Sequence, residues 1–438
     1  SRAIAPLYAH VAWQLSGAMG LGTGVLRAYH LYYFFRGLTV GVVGASSLYI
    51  ANRSGVPQHW LFAARGVGLI FGPLLFSPLV GRVVWCGESQ YGFALALFAK
   101  ATCELILPRA ASGAVLLPAF FVLGLCMTLL DTHGCMLVTR IFGEKCSLPL
   151  NIYNALYGLG AAIAPFFVIT APSQAFNLLA GVDLLMASAL TLKRLRWGKP
   201  RQWKIKIRRP GSPSPGPASP PDPEAACQGS APIKQRGLPP RVLCTGLAFI
   251  LFGSACETAI SSWGFTFAAK NLGLPAKIAA TFPAAFYFTY TAMRLVVIPV
   301  SMKLLPSTII QAGTLLTLLG AMLLRTCAGN FHANPNVGLL IFCVVLIGAG
   351  TSPFFAMTLA SLRQHAELNP MEQGFYSTCT ALGNCLGLWL PGLVDLPQAE
   401  VVWAVAIFLI LNANMRDFPW SQRWSFDTEG SVKPGTKV

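Results

Sequence analysis

The sequence predicts an all-α membrane protein with twelve transmembrane helices arranged in two six-helix bundles. Of its 438 residues, 54% are apolar and only 11% are charged, whereas soluble domains average roughly 45–50% and 25%. Mean hydropathy is +0.59, and apolar runs of 16 to 25 residues recur along the chain. Runs of this length can cross a hydrocarbon layer about 30 Å thick. A soluble enzyme and a secreted disulfide scaffold are therefore excluded.

Six apolar spans precede a polar stretch near the middle of the chain and six follow it, each bounded by Gly, Pro, Asn or charged residues. The predicted spans, numbered 1 to 12 in chain order, are 31–51, 59–80, 92–107, 113–138, 149–171, 175–192, 242–266, 278–300, 306–327, 337–360, 374–394 and 400–414. The predicted domains are an N-terminal cytoplasmic segment (1–30), a first bundle (31–192), a linker (193–240), a second bundle (241–414) and a cytoplasmic tail (415–438).

The linker is basic and then rich in proline. Twelve of the 32 Lys and Arg residues lie between Lys193 and Arg241, in a chain of net charge +17. The run that starts at Pro210 has too few apolar residues to form a core. No RNA-binding fold signature accompanies the basic residues, so we predict that 193–209 contacts anionic lipid and that the chain binds no nucleic acid.

The distribution of positive charge predicts the orientation. Six spans in each half place the linker and both termini on one face, which carries 23 basic residues against four on the other face. Such an excess marks the cytoplasmic side, so we predict a multi-pass protein with cytoplasmic N- and C-termini. Gly124 with Gly350 and Pro165 with Pro391 share an offset of 226, which supports two repeated bundles.

Span 7 carries a polar stripe on one helical face. Ser254, Glu257, Thr258, Ser261 and Ser262 follow the spacing i, i+3, i+4, i+7, i+8. Hydroxyl residues also form seams between membrane helices, but an acidic residue inside the membrane costs at least ~2.5 kcal/mol. We therefore favour Glu257 as a cavity-lining, substrate-binding residue.

A second acidic residue, Asp131, lies nearer the cytoplasmic end of span 4, on a face with Thr128 and Thr132. Two interpretations have equal weight. Asp131 contacts a ligand, or it forms a structural latch with Arg82 of the loop between spans 2 and 3.

Span 8 aligns Tyr287, Tyr290 and Arg294 on one face. Aromatic rings stack on the C–H faces of a sugar while polar groups bond its hydroxyls, although an aromatic core stripe explains the pattern nearly as well. Asn384 in span 11 and its counterpart Asn154 in span 5 add amides that can bind a solute. We assign the two tyrosines and two asparagines to substrate binding and Arg294 to coupling or gating.

Five of the other charged residues inside the predicted spans are harder to place. Lys100 and Glu104 are spaced i, i+4 and can neutralise one another. We expect Arg36 to reach the cytoplasmic interface and Arg65 the outer one. Asp183 has no partner that the sequence identifies.

No motif of an enzyme or of a bound cofactor occurs in the sequence. It has no Walker loop, metal-ligand spacing, Ser/His/Asp signature or Gly-rich dinucleotide turn. The energy for any transport would have to come from a solute or ion gradient.

Four motifs in spans 4 to 11 resemble those of a known family. They are Leu130-Asp131-Thr132, Tyr157-Gly158-Leu159-Gly160 with Ala164-Pro165, Phe252-Gly253 with Glu257 and Trp263, and Gly348-Ala349-Gly350 with Ser352-Pro353. The chain resembles the major facilitator superfamily of twelve-helix secondary transporters, and within it the sodium-dependent glucose transporter-like and fucose permease-like branch.

The resemblance implies alternating access around a central site between the bundles. It implies symport of a sugar or a similar polar organic solute with H⁺ or Na⁺. By position it places Glu257, Trp263 and Asn384 at the substrate, and Asp131 and Arg82 in a cytoplasmic gate.

The sequence departs from the family pattern at three places. Pro78-Leu79 replaces Asp-Arg before Gly81-Arg82, Met293-Arg294 replaces Gly-Arg in span 8, and Ser46-Ser47 stand in span 1 where fucose/proton members have a carboxylate. These departures favour one alternative, a transporter fold that no longer transports and serves as an accessory or scaffold subunit of a membrane complex. The two functions differ in whether the candidate site residues face one open central cavity.

Overall fold

The computed structural model describes residues 23–85, 89–142, 147–197, 240–301, 304–331, 336–365, 370–414, 425–426 and 432–433. The predicted basic and Pro-rich linker lies outside the described residues from 198 to 239, as does the N-terminal segment up to residue 22. In the tail, strands β1 (Ser425–Phe426) and β2 (Val432–Lys433) pair antiparallel.

The described part of the first half contains six long helices. They are α1 (Thr23–Ser54), α2 (Gln58–Trp85), α3 (Ser89–Ile106), α4 (Gly113–Phe142), α5 (Ser147–Thr170) and α6 (Pro172–Trp197). Gly55 turns the chain from α1 into α2 with a φ of +69°, a left-handed conformation that glycine adopts without steric cost.

The second half forms helices α7 to α14. They are α7 (Pro240–Thr266), α8 (Ala276–Ala279), α9 (Thr281–Ser301), α10 (Pro306–Gly329), α11 (Val337–Thr351), α12 (Phe354–His365), α13 (Pro370–Trp389) and α14 (Leu396–Asn414). A π-helical turn (Phe267–Asn271) extends α7, and a 3₁₀ turn (Leu390–Gly392) extends α13. Helices α6, α7, α10 and α13 begin with proline, whose missing N–H has no intrahelical partner in a first turn.

Every predicted span falls, to within a few residues, on one helix or on two consecutive ones. Among the described residues, eight stretches are long and apolar enough to cross a membrane: Tyr29–Ser54, Gly113–Cys135, Leu150–Thr170, Pro172–Leu192, Pro240–Asn271, Ala276–Ser301, Pro306–Gly329 and Val337–Leu362. These stretches support the all-α membrane class. The full count of twelve transmembrane helices and the domain boundaries stay predictions.

The same three helix pairings occur in both halves. In the first half α1 packs on α5, α2 on α4 and α3 on α6. In the second half α7 packs on α13, α9 on α11 and α10 on α14. The second set repeats the first with each predicted span advanced by six, which is expected of two structurally repeated bundles. The halves meet along α1–α7, α2–α13 and α5–α9.

Glycine allows the equivalent pairs to approach closely. A Cβ atom at Gly37 of α1 would lie 1.8 Å from the carbonyl oxygen of Tyr157 in α5. One at Gly383 of α13 would lie 2.0 Å from the carbonyl oxygen of Leu251 in α7. Because lipid provides little hydrophobic drive for helix association, such close packing holds membrane helices together.

A fully buried ionic cluster joins α1, α3 and α6. The ammonium of Lys100 binds the carboxylate of Asp183, donates to Glu104 at 2.7 Å and donates to the hydroxyl of Thr39 at 2.9 Å. The predicted pairing of Lys100 with Glu104 is confirmed. Asp183, whose partner the sequence did not identify, is paired with the same lysine.

Candidate functional site

A cavity of about 110 Å³ lies between the two halves of the fold. Its walls come from α1, α2, α4 and α5 in the first half and from α7, α9, α11, α12 and α13 in the second. The volume admits several water molecules. We call this space the central cavity.

The polar stripe of α7 lines the central cavity. Ser254, Glu257, Thr258 and Ser261 all contribute to the wall, whereas Ser262 is buried away from it. The carboxylate of Glu257 accepts a 2.8 Å hydrogen bond from the hydroxyl of Tyr290. The stripe is therefore a cavity wall more than a helix seam, and its acidic residue has a polar partner.

Arg294 and Glu257 are linked through one phenol. Arg294 donates to the hydroxyl oxygen of Tyr290, and its Cζ lies 4.4 Å from the centre of the Tyr290 ring. Tyr290 lines the central cavity, while Arg294 is buried behind it. A cation, a phenol and a carboxylate thus form a continuous hydrogen-bonded chain from α9 to α7.

Tyr287 takes part in a contact between the halves. Its hydroxyl lies 3.0 Å from the hydroxyl of Tyr157, which joins α9 to α5. Tyr157 lines the central cavity, whereas Tyr287 is fully buried behind it. Tyr287 therefore lies behind Tyr157 and does not form part of the cavity wall.

Two asparagines present amides to the central cavity from opposite halves. Asn384 of α13 accepts a 2.8 Å hydrogen bond from the hydroxyl of Thr258. Asn154 of α5 donates to the carbonyl oxygen of Leu150 one turn earlier, also at 2.8 Å. Both residues line the cavity, so the counterpart positions in spans 5 and 11 face the same space.

Asp131 is paired with Arg36. The two side chains form an ion pair between α4 and α1 and line the central cavity. The guanidinium of Arg36 lies 4.7 Å above the ring of Tyr157. The interpretation of Asp131 as a latch to Arg82 stays a prediction, and Arg36 is the partner that the structure shows. The side chain of Arg82 itself lies outside the described residues.

The expectation that Arg36 reaches the cytoplasmic interface is wrong. Helix α1 begins at Thr23, not near residue 31. Arg36 is thirteen residues beyond that start, or about 20 Å along the axis. That depth places its charge near the middle of the bundle.

The expectation that Arg65 reaches the outer interface is also wrong. Arg65 of α2 is only 3% exposed and lines the central cavity. Its Nη2 lies 3.9 Å from the sulfur of Met127. Among the residues that the structure describes, Nε and Nη1 of Arg65 have no hydrogen-bond partner.

Trp263 lies at a different pocket. A second space of about 860 Å³ is bounded by the α1–α2 turn, the π-helical end of α7 and the α13–α14 turn. Trp263 lines this turn-side pocket, where its indole N–H donates to the carbonyl oxygen of Leu388 at 2.9 Å. Gln58 joins the halves there, because its amide donates to Ser47 at 2.6 Å and to Thr266 at 2.9 Å.

The chain matches the family model described as Major Facilitator Superfamily over residues 28–388. The chain belongs to the major facilitator superfamily. The family predicted from the motifs is confirmed, and its members and fold are those of transporters, not enzymes.

Two relatives of this superfamily member are named as sodium-dependent glucose transporters. The mouse (Mus musculus) sodium-dependent glucose transporter 1A is 20% identical over 402 residues, which cover 83% of this chain and 87% of the relative. The human (Homo sapiens) sodium-dependent glucose transporter 1 is 21% identical over 396 residues, covering 83% of this chain and 71% of the relative.

A solved structure shows the superfamily fold. It is a bacterial homologue of the human lysosomal transporter Spinster in an inward-facing and unoccupied conformation. The two chains share a TM-score of 0.64 at 12% identity, with 92% of this chain and 98% of the other covered. The major facilitator fold and multi-pass membrane class follow.

The central cavity of this superfamily member can bind and orient a polar solute. It offers carboxylates, guanidinium groups, phenols and amides at one place. In the part of the chain that the structure describes, no cluster of three His, Cys, Asp or Glu residues could hold a metal ion.

Proposed function

We propose that this chain is a secondary active transporter that moves a small polar organic solute, with a sugar as the first candidate, by alternating access around the central cavity. The observation that carries the proposal is a polar cavity walled by both halves, with Glu257 on one side and Asp131 on the other. Membrane sites at the interface of two repeats are exposed to each side in turn when the repeats rock.

Solute binding is assigned to the residues at the cavity wall and immediately behind it. Glu257, Tyr290, Asn384 and Asn154 contact the solute, and Tyr287 holds Tyr157 in place through the bond between their hydroxyls. Trp263 binds the solute at the turn-side pocket. This two-pocket arrangement is supported by the polar groups found at both places.

Coupling is assigned to Na⁺ or H⁺. Na⁺ is the first candidate because both relatives are named as sodium-dependent transporters. For H⁺, Glu257 is a better carrier than Asp131, since Asp131 is held by an arginine whereas the nearest bonded partner of Glu257 is a phenol. Arg294 and the pair of Asp131 with Arg36 then respond to solute and ion binding and control access to the cavity.

The alternative of a non-transporting accessory subunit has less support. Such a protein gains nothing from acidic and basic residues around a central cavity, because ionisable groups inside a membrane are costly unless they function. The departures from the family pattern in the sequence remain compatible with an unusual gate or solute.

The basic run 193–209 is proposed to contact anionic lipid on the cytoplasmic face. Nine Lys or Arg residues lie in this run, and each can gain about 1 kcal/mol near an anionic surface. Replacing all nine by Gln should reduce uptake or folded yield in anionic vesicles and not in neutral ones; equal effects in both would remove lipid as a partner.

Uptake into proteoliposomes tests the proposal. Purified full-length chain is reconstituted, and ¹⁴C-labelled sugars are offered under an inward Na⁺ gradient, an inward H⁺ gradient or no gradient. We expect concentrative uptake of at least one sugar under one gradient. No uptake of any solute in correctly folded proteoliposomes would favour the accessory subunit instead.

A further inference from the structure

Three arginines lie at or directly behind the wall of the central cavity. Its described lining contains two of them, Arg36 and Arg65, and two acids, Asp131 and Glu257. Arg294 is the third, because it is bonded to the Tyr290 hydroxyl that also binds Glu257. The three cations differ in whether a carboxylate binds them directly.

The hydrogen bonds distinguish the three cations. Arg36 is paired with Asp131. Arg294 bonds the Tyr290 hydroxyl that binds Glu257 and lies behind the cavity wall, although its Nε and Nη1 have no partner among the described residues. Arg65 is left without a carboxylate partner among the described residues, since two of its nitrogens have no acceptor and the third lies 3.9 Å from a thioether.

An unpaired guanidinium at this position is costly. Arg65 is 3% exposed, and the desolvation of an uncompensated ion in a protein interior costs several kcal/mol. A thioether sulfur is only a weak acceptor. A residue retained at such a cost inside a membrane indicates function.

A carboxylate is the ligand group that matches Arg65 best. The guanidinium fork binds planar carboxylates with two parallel hydrogen bonds, each charge-assisted. One carboxylate carries one negative charge, which matches the single positive charge of Arg65. A phosphate monoester carries about −1.5 to −2 near neutral pH and would overcompensate it.

We propose that the solute is a monoanionic carboxylate, such as a sugar acid, and that Arg65 binds its carboxylate in the central cavity. This assignment rests on the proposed transport function and narrows its solute class. The amides of Asn384 and Asn154 then contact the uncharged part of the solute, as already proposed for the neutral sugar.

Matched ligand pairs test the assignment. D-Glucuronate and D-glucose differ only in a carboxylate in place of CH₂OH, as do D-galacturonate and D-galactose. Binding of each to the full chain in nanodiscs is measured by titration at constant ionic strength, and uptake of each into proteoliposomes is measured in parallel. We expect at least one acid to bind about tenfold more tightly than its neutral partner, because charge-assisted bonds are the stronger ones.

The variants Arg65→Met and Arg65→Lys separate a binding role from a structural one. Arg65→Met should abolish the preference for the acid and should raise or preserve the melting temperature, because it removes an uncompensated charge. Arg65→Lys keeps the charge but loses the fork, so the preference should weaken without disappearing. Met127→Leu, which changes only the contacting side chain, should retain it.

Three outcomes would overturn the assignment. Equal binding of acids and neutral sugars, with Arg65→Met transporting glucose normally, removes the role of Arg65 and leaves the transport proposal standing. A lower melting temperature in Arg65→Met, together with an unchanged acid preference, makes Arg65 structural. Absence of binding and uptake for all four compounds removes both the sugar-transport proposal and its refinement.

Discussion

The hydroxyl of Tyr290 on α9 donates a 2.8 Å hydrogen bond to the carboxylate of Glu257 on α7, and Arg294 donates to the same hydroxyl oxygen. The phenol of Tyr290 therefore links a buried arginine to the acid of the proposed site through two hydrogen bonds. Loss of this oxygen separates the cation from the acid without changing the charge of either.

Tyr290→Phe should lower the initial rate of solute uptake about tenfold, since hydrogen bonds to charged groups are worth roughly 1.5–3 kcal/mol. Tyr376→Phe is the matched control. The hydroxyl of Tyr376 donates to the carbonyl oxygen of Phe355 at 2.8 Å and has no part in the proposed site. We expect the control to retain uptake; equal losses in both variants would show that Tyr290 acts only through folding.

The pair of Arg36 and Asp131 predicts a stability effect with a compensating change. Asp131→Asn leaves the guanidinium of Arg36 without its carboxylate, so the melting temperature should fall. The double variant Arg36→Gln with Asp131→Asn should recover part of this loss, with a coupling energy of about 0.5–3 kcal/mol. Additive effects in the thermal-shift assay would mean that the two side chains do not interact energetically.

The sequence indicated most of the helices and one face of the site because both depend on local spacing. Long apolar runs marked the spans, and the i, i+3, i+4 spacing placed Glu257 and Thr258 on one face of α7, where the structure has them. It did not indicate that Arg36 would bind Asp131, since 95 residues separate them. The sequence around each of these two charged residues does not show which other helix packs against it.

Errors in depth and register explain the rest. The helix of Arg36 starts eight residues before the predicted span, which moved this residue from the interface to the interior.

The offset of 226 pairs Gly124 with Gly350, two residues away from the glycine that makes the equivalent contact. A Cβ at Gly124 would meet the carbonyl oxygen of Arg65 in α2, and one at Gly348 that of Phe286 in α9. Gly348 therefore makes the contact equivalent to that of Gly124, whereas a Cβ at Gly350 would meet the carbonyl oxygen of Gly313 in α10.

Lys100 is predicted to support the fold of the first half. It is the cation that binds both Glu104 and Asp183, and all three are fully buried. Lys100→Met leaves two carboxylates without their cation and should lower the free energy of unfolding by about 3–5 kcal/mol. Thr39→Val, which removes one neutral hydroxyl from the same cluster, should cost much less. A Lys100→Met protein as stable as the parent in thermal denaturation would contradict this role.

Gly158 is predicted to control how closely the halves approach. A Cβ atom at Gly158 of α5 would lie 2.3 Å from the hydroxyl oxygen of Thr291 on α9. Gly158→Ala should therefore slow uptake severalfold in folded protein, because it forces α5 and α9 apart. Adding Thr291→Ala removes the clashing oxygen and should restore most of the rate.

Gly181→Ala is the control for this experiment, because a Cβ atom there meets nothing within 4 Å. If Gly181→Ala and Gly158→Ala lower uptake equally, or if Thr291→Ala restores nothing, the contact between α5 and α9 does not limit the transport cycle.

We propose that Glu257 in the central cavity takes part in transport, and Glu400 provides the matched comparison. Glu400 is a fully buried acid of the second half, whereas Glu257 is half-buried. Glu400 accepts a 2.7 Å hydrogen bond from the thiol of Cys256 and lies away from the described cavity lining. The decisive measurement is the initial rate of uptake into proteoliposomes, normalised to folded protein, for Glu257→Gln and Glu400→Gln. Glu257→Gln should lower the rate about tenfold or more, as expected when a charge-assisted contact is lost, while Glu400→Gln stays near the parent value. Equal rates for the two variants would show that Glu257 has no specific role in transport.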